Sequence, residues 1–378
     1  MKAVIEASEA VALGVKFSRV KVCPMYPITP STHIPERISD YIFDGEMDAQ
    51  MIHVESEHSA ASAMIGSILS GARSFTATSS NGFELMYEML PIISGMRLPA
   101  VMAVANRTVA GPINIWNDHS DAVSARDQGW IQLYAESSQE CIDTIIQCYK
   151  IAEDKKVMLP AMLCLDGFAL THVFENVDIP EQKQVDSFLP AFKLEDTLDV
   201  KNPKSFGPIG FPDSFMNFKK QQHDAMANAL EVISRANKDF EKEFGRSYGD
   251  GFVELTDMDD AEFAIIAMGT ICGTAKAKVE ELRKKGKKVG VIRLRSYRPF
   301  PIESIKNAVK NLKGLAVLDR HVSLGANAPL FTEVKAILPE LSVFSYIAGI
   351  GGRDVTLQHF ESVFDDLESG KQSREWLM

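Results

Sequence analysis

Residues 99–130 read PAVMAVANRTVAGPINIWNDHSDAVSARDQGW, an apolar run that stops at Asn106 and gives way to a loop rich in Asn, Asp and turn residues. A short apolar run bounded by turn signals reads as a strand. The same text recurs on either side. SFTATSS at 74–80 leads into a helical pattern from about Gly82, and MLPAMLCLD at 158–166 follows one running through Ile142 to Ala152. Strands alternating with helices predict a parallel sheet flanked by helices over roughly the first 175 residues. In such a sheet ligands sit beyond the carboxyl ends of the strands, so Asn106 and Arg107 fall where a site is expected.

Outward from this core the pattern changes twice. From about 178 to 220 it dissolves into Pro-, Gly- and Asp-containing text, read as an extended arm laid over another surface. A polar helix of about 25 residues follows, starting at KKQQHDAMANAL near Lys219. The alternation then resumes with AEFAIIAMG, KKVGVIRL, GLAVLD and LSVFSYIAG as strands, which predicts a second, smaller doubly wound unit. The expected organisation is an α/β domain over 1–177, an arm and linker helix over 178–254, and a second α/β domain over 255–378. A chain of 378 residues, 46% hydrophobic and 24% charged, is long enough for two compact domains, each with its own core.

A net charge of −11 argues against a nucleic-acid surface. The basic run RKKGKK at 283–288 reads as a helix end and the turn after it. No apolar stretch reaches the ~18 residues of a membrane span, and the opening MKAVIEASEAVALGVKFSRV lacks the marks of a signal peptide. A cytoplasmic location and no membrane partner are expected. The five cysteines, Cys23, Cys141, Cys148, Cys164 and Cys272, are too scattered to form a zinc or iron–sulfur ligand set and suit a reducing compartment.

Three stretches carry candidate chemistry. In HVESEHSAASAMIGSILSGA, residues 53–72, Ser59, Ser62 or Ala63, Gly66 and Ser70 share one narrow helix face, fit for close approach by a ligand or a neighbouring subunit. Glu57 stands at the expected helix start, where backbone N–H groups favour its anion while burial opposes it, so its carboxyl is poised to share a proton with a ligand nitrogen. Sequence does not choose between Glu55 and Glu57. CPMYPITPSTHIPE at 23–36 is a proline-stiffened loop with exposed hydroxyls, and Ser31 or Thr32 is also placed to cap a helix. Arg107 is a natural grip for a carboxylate, or else the partner of Asp118 or Asp121 in an ion pair. His119 among aspartates reads as a hydrogen-bonded loop residue. Gly249-Asp250-Gly251 reads as a turn, and MGTICGTA at 268–275 as close packing.

Taken in order, YPITPST, ESEHSAASA, RSFTATSSNGFELMYEM, ANR with NIWNDHSD, SYRPFP and GGRDV closely resemble the alpha subunit of the multi-subunit 2-oxoacid:ferredoxin oxidoreductases, most of all the pyruvate enzyme. The resemblance covers nearly the whole chain and implies a thiamine diphosphate pyrimidine-binding domain followed by a transketolase C-terminal-like domain. It places the cofactor glutamate at Glu57, the substrate carboxylate at Thr29 and Arg107, and Pro27 near the cofactor ring. It implies a beta subunit bearing the diphosphate and magnesium site, a ferredoxin-like delta subunit bearing iron–sulfur clusters, and a gamma subunit linked to coenzyme A. The activity implied is reversible oxidative decarboxylation of pyruvate to acetyl-coenzyme A with ferredoxin as electron acceptor. Branched-chain 2-oxoacids and 2-oxoglutarate are the neighbouring substrates, and a scaffold without chemistry is the alternative of another class. Because ferredoxins are acidic, as this chain is, ferredoxin is expected to dock elsewhere on the complex.

Overall fold

The computed structural model describes residues 1–378. The first part runs β1 (Lys2–Glu6), α1 (Ala7–Phe17), β2 (Val22–Met25), α2 (His33–Phe43), β3 (Gln50–His53), α3 (Glu57–Leu69), β4 (Phe75–Thr78), α4 (Ser80–Leu85), α5 (Met89–Gly95), β5 (Val101–Asn106), α6 (Ser120–Ser124), β6 (Ile131–Tyr134), α7 (Ser138–Ala152) and β7 (Ala161–Asp166). Strands β6, β7, β5 and β4 lie side by side in parallel, and β2 pairs with β3 and bridges from Val22 to Ser74, the residue before β4. Every residue of β4, β5, β6 and β7 is buried, because helices cover both faces of the sheet. Helices α1 and α7 pack together over one face.

The arm holds β8 (Phe174–Asp178), paired antiparallel with β1, then α8 (Gln182–Phe188) and α9 (Pro212–Phe244). Helix α9 begins at Pro212 rather than near Lys219. A proline in the first turn loses nothing, since that N–H has no helical partner, and the Phe-rich start that reads as linker is its first two turns. The chain after α9 is fixed by Arg246 and Tyr248, which hydrogen-bond the buried carboxylate of Asp143 on α7.

The remaining elements are β9 (Val253–Thr256), β10 (Phe263–Ala267), α10 (Ile271–Lys284), β11 (Val289–Leu294), β12 (Ser296–Arg298), α11 (Ile302–Ala308), β13 (Gly314–Asp319), α12 (Pro329–Ile337), β14 (Ser342–Ala348), α13 (Leu357–Ser369) and β15 (Trp376–Leu377). The second sheet has the order β15-β14-β13-β10-β11-β9, parallel except at β9. The four strands expected from sequence are its centre. Strand β12, in the SYRPFP segment, leaves this lobe and pairs antiparallel with β6 at the edge of the first sheet.

Two apolar cores form, but they do not divide along the two lobes. Ile266, Met268, Ile292, Leu294, Leu315 and Val317, on one face of the second sheet, join the apolar cluster of the first. Their alternate neighbours Ile265, Ala267, Val291, Ala316 and Leu318 pack with residues of α10 and α13 into a smaller cluster. The period of two along each strand explains the split. Between the lobes, buried Glu140 of α7 accepts from Arg293 at 2.9 Å and from Arg295 at 2.9 Å. No helix is long and apolar enough to cross a membrane.

Candidate active site

Helix α3 starts where the sequence expected. Ser56 is its N-cap, with an extended backbone and a side chain that accepts from Ser59 N at 3.2 Å, so Glu57 opens the first turn. Glu57 is 5% exposed. Burial pushes its pKa up, opposed by its own backbone N–H. Its carboxyl rests on Gly82 of α4, where a Cβ would stand 2.1 Å from Oε1, so any side chain there would displace the carboxyl. Glu55 lies in a different environment, at the surface and hydrogen-bonded by the Ser59 hydroxyl, which holds its carboxyl below the usual range.

Thr29 and Pro27 are exposed on the loop between β2 and α2. Arg107, just beyond the end of β5, is 8% exposed. Its NH1 donates to the Thr29 carbonyl at 3.0 Å and its Nε to the Asn114 carbonyl at 3.0 Å. Thus Thr29 and Arg107 are in direct contact, through a main-chain oxygen. Burial lowers the arginine pKa, partly offset by Asp121. The ion-pair option is not taken up. Asp118 turns to Ser120 and to Gly351 N, at 2.9 and 3.0 Å. Asp121 binds the backbone N–H of Arg107 at 2.9 Å, not its guanidinium.

Asp121 is fully buried at the centre of the site's frame. One oxygen takes the N–H groups of Arg107 and Ser80, the latter at 3.0 Å; the other takes Asn106 Nδ2 and Ala122 N, each at 2.7 Å. Burial pushes this carboxyl up to about 7, against four N–H donors that favour its anion.

The loop carrying Arg107 is lashed to the second lobe. Asn114 donates to Gly351 O at 3.1 Å, and Gly352 N donates to Asn117 O at 2.8 Å, which is where GGRDV meets NIWND. His119 is a buried loop residue, its Nε2 lying 2.9 Å from Asp166 Oδ1. Asp166 also lies 2.8 Å from Arg320 NH1 and accepts from Thr270 N at 2.7 Å, and these partners hold its carboxyl far below the usual range. That carboxylate fills the amino end of α10, so MGTICGTA is packing, with Gly269 at φ 70 leaving space for Asp166. Gly249 and Gly251, both at positive φ, make the expected turn around Asp250.

Other features lie outside this frame. Gly66 and Ser70 on the narrow face of α3 are exposed, with nothing within 4 Å of a Cβ added at Gly66. Grooves of about 650 and 700 Å³ flank the start of α9 and contain none of Glu57, Thr29 or Arg107. No group of three or more His, Cys, Asp or Glu side chains converges as metal ligands would.

Residues 14–238 match the family described as pyruvate flavodoxin/ferredoxin oxidoreductase, thiamine diphosphate-binding, and residues 261–360 match pyruvate:ferredoxin oxidoreductase core domain II. The chain belongs to the pyruvate:ferredoxin oxidoreductase family. Among its relatives in that family, a pyruvate synthase subunit PorA of Methanocaldococcus jannaschii is 47% identical over 97% of this chain and 95% of its own. The Thermotoga maritima subunit of the same name is 43% identical, with 97% and 94% covered. A ketoisovalerate oxidoreductase subunit VorA of Pyrococcus abyssi is 42% identical, with 99% and 96% covered. A solved 2-oxoglutarate:ferredoxin oxidoreductase from Magnetococcus marinus superposes with a TM-score of 0.75 at 18% identity. It covers 97% of this chain but only 65% of that longer one, and it shows the shared fold.

Two residues of the site's frame escape sequence reasoning. Gly82 looks like any helix-start glycine until Glu57 is seen resting on it. Asp121 presents itself as a counter-ion for Arg107, and nothing local reveals that its oxygens face backbone N–H groups.

Proposed function

We infer that this chain is the alpha-type subunit of a pyruvate:ferredoxin oxidoreductase, acting on pyruvate with thiamine diphosphate, coenzyme A and ferredoxin. The observation that carries this is a buried carboxyl without a partner, Glu57, framed together with an arginine that forms no ion pair, Arg107, at the carboxyl end of a thiamine-family sheet. Glu57 on the Gly82 cradle suits one ring nitrogen of an aminopyrimidine.

When bound, thiamine diphosphate supplies the carbon nucleophile and the electron sink for loss of carbon dioxide. Glu57 shares a proton with the ring nitrogen of the pyrimidine, its raised pKa matching that role. Arg107 and the Thr29 hydroxyl orient the substrate carboxylate, and Pro27 lines the ring side of the same loop. A single arginine is a moderate clamp, as required when the held group must leave. The complementary parts fall to partners: a beta subunit for the diphosphate and magnesium, a ferredoxin-like delta subunit for iron–sulfur clusters, and a gamma subunit for coenzyme A.

The test is viologen or ferredoxin reduction by the co-purified complex with coenzyme A and thiamine diphosphate, comparing pyruvate with 2-oxoisovalerate and 2-oxoglutarate. Pyruvate is expected to give the highest kcat/KM. Preference for 2-oxoisovalerate would move the chain towards its ketoisovalerate relative, which is nearly as similar. Glu57→Gln is expected to lower kcat by about 10²- to 10⁴-fold, whereas a scaffold subunit would lose nothing.

A further inference from the structure

We propose that Asp121 is a positioning residue that fixes the arm carrying Arg107 relative to the helix on which Glu57 rests. This rests on the reading of Glu57 and Arg107 given above and extends it to the group that holds them in register.

The geometry is a fork. Through Oδ2, Asp121 ties the first residue beyond β5 to the first residue of α4, by Arg107 N at 2.9 Å and Ser80 N at 3.0 Å. Through Oδ1 it holds Asn106 Nδ2 and Ala122 N at 2.7 Å. On one prong, Arg107 carries its guanidinium to the Thr29 carbonyl. On the other, Ser80 sits at φ 49, a left-handed conformation that a non-glycine residue adopts only under strain. That turn aims α4 so that Gly82 receives the Glu57 carboxyl. Two further ties staple the same segments, Ser80 Oγ to Thr108 O at 2.6 Å and Ala110 N to Asn81 Oδ1 at 3.0 Å. Ser79, the N-cap of α4, also donates its hydroxyl to Ala105 O of β5, and Asp121 is the side chain that takes the N–H groups of both prongs.

The position is made for a carboxylate. Three of the four neighbours are backbone N–H groups that can only donate, and an ionised carboxylate accepts without donating. An asparagine turned either way points its NH₂ at one or two backbone N–H groups. The resulting displacement reaches Arg107 and Gly82 together, because Arg107 N and Ser80 N, two residues ahead of Gly82, share the same oxygen. A shift of about 1 Å at a reacting geometry costs on the order of 10²-fold in rate.

The experiment uses the reconstituted complex carrying Asp121→Asn, Arg107→Lys, or both. It measures kcat and KM for pyruvate, the near-ultraviolet circular-dichroism band of bound thiamine diphosphate, and the melting temperature. The expected result for Asp121→Asn is a KM raised by about tenfold or more together with a lowered kcat and an altered band. The double variant should lose less than the product of the two single losses. The proposal is overturned if Asp121→Asn lowers only the melting temperature while kcat and KM stay within about twofold, or if the two losses multiply. Should Asp121→Asn fail to assemble, Asn106→Ala removes one of the four bonds and should give the same kinetic pattern at smaller size; unchanged kinetics there would equally overturn it. If Arg107→Lys and Glu57→Gln both leave turnover intact, the underlying reading fails and the proposal with it. If they act and Asp121→Asn does not, the proposal alone fails.

Discussion

Buried charge is handled in opposite ways at the candidate site and at the junction between the lobes. At the junction Glu140 is saturated by Arg293, Arg295 and the backbone N–H of Glu136. Asp166 is likewise enclosed by Arg320, His119 and Thr270. At the site, Arg107 reaches only carbonyls and Glu57 reaches no partner residue. The electrostatics follow. Neighbouring carboxylates drive the Arg293 pKa up despite burial, whereas burial lowers that of Arg107. Charges that have found their partners weld the fold; charges left without partners are held ready for a ligand that brings the missing one.

The largest effect expected from this contrast is on stability. Glu140→Gln leaves Arg295 buried with no carboxylate, while Arg293 keeps Glu136 and Glu254, and breaking a buried pair from one side costs about 3–5 kcal/mol. Denaturant titration of the complex should show that loss, with the KM for pyruvate of the folded fraction unchanged. A loss below about 1 kcal/mol would mean that the junction is not welded by these charges.

Arg107→Lys should do the reverse. A lysine keeps the charge but loses the planar fork, so the KM for pyruvate should rise by about 10- to 100-fold. Stability should change by about 1–3 kcal/mol, since hydrogen bonds to two carbonyls are lost, less than at Glu140. Steady-state kinetics and denaturation on the same preparation decide it. A large stability loss with KM untouched would place Arg107 in the same class as Arg293.

The two kinds of charge also differ in how visible they are in sequence. The strands PAVMAVAN, MLPAMLCLD and AEFAIIAMG were legible because strand burial is written in consecutive residues, and the carboxyl-end rule then pointed to Arg107. Glu57 was legible as a helix-start residue, although only burial separates it from Glu55. The pairing of Glu140 with Arg293 and Arg295 was not legible, because its partners lie far apart in the chain. Nor was the crossing of β12 to the first sheet, since nothing within SYRPFP points to β6 as its neighbour. The way the cores divide has the same origin. The alternation along β10 and β11 shows two buried faces without saying that one of them is covered by the other lobe.

The smallest expected effect concerns the cost of keeping Glu57 without a partner. Burial favours its neutral form, so its folded-state pKa lies above the unfolded one. Stability from the protonated form is then fully present below the ordinary glutamate range, near 4.3, and is lost as pH rises through the raised folded value. Glu57→Gln, which stays neutral, should therefore stabilise the complex stripped of cofactor by about 1 kcal/mol at neutral pH, a gain that fades as the pH falls towards about 4. Thermal melting of wild type and variant across that range measures it. The same substitution is expected to lower kcat of the loaded complex by about 10²- to 10⁴-fold, so stability and activity should move in opposite directions at one residue, as expected where a charge is kept for its ligand rather than for the fold. A destabilised Glu57→Gln would mean that the carboxylate has a partner in the assembled complex even without cofactor, and the contrast with Glu140 would narrow to Arg107.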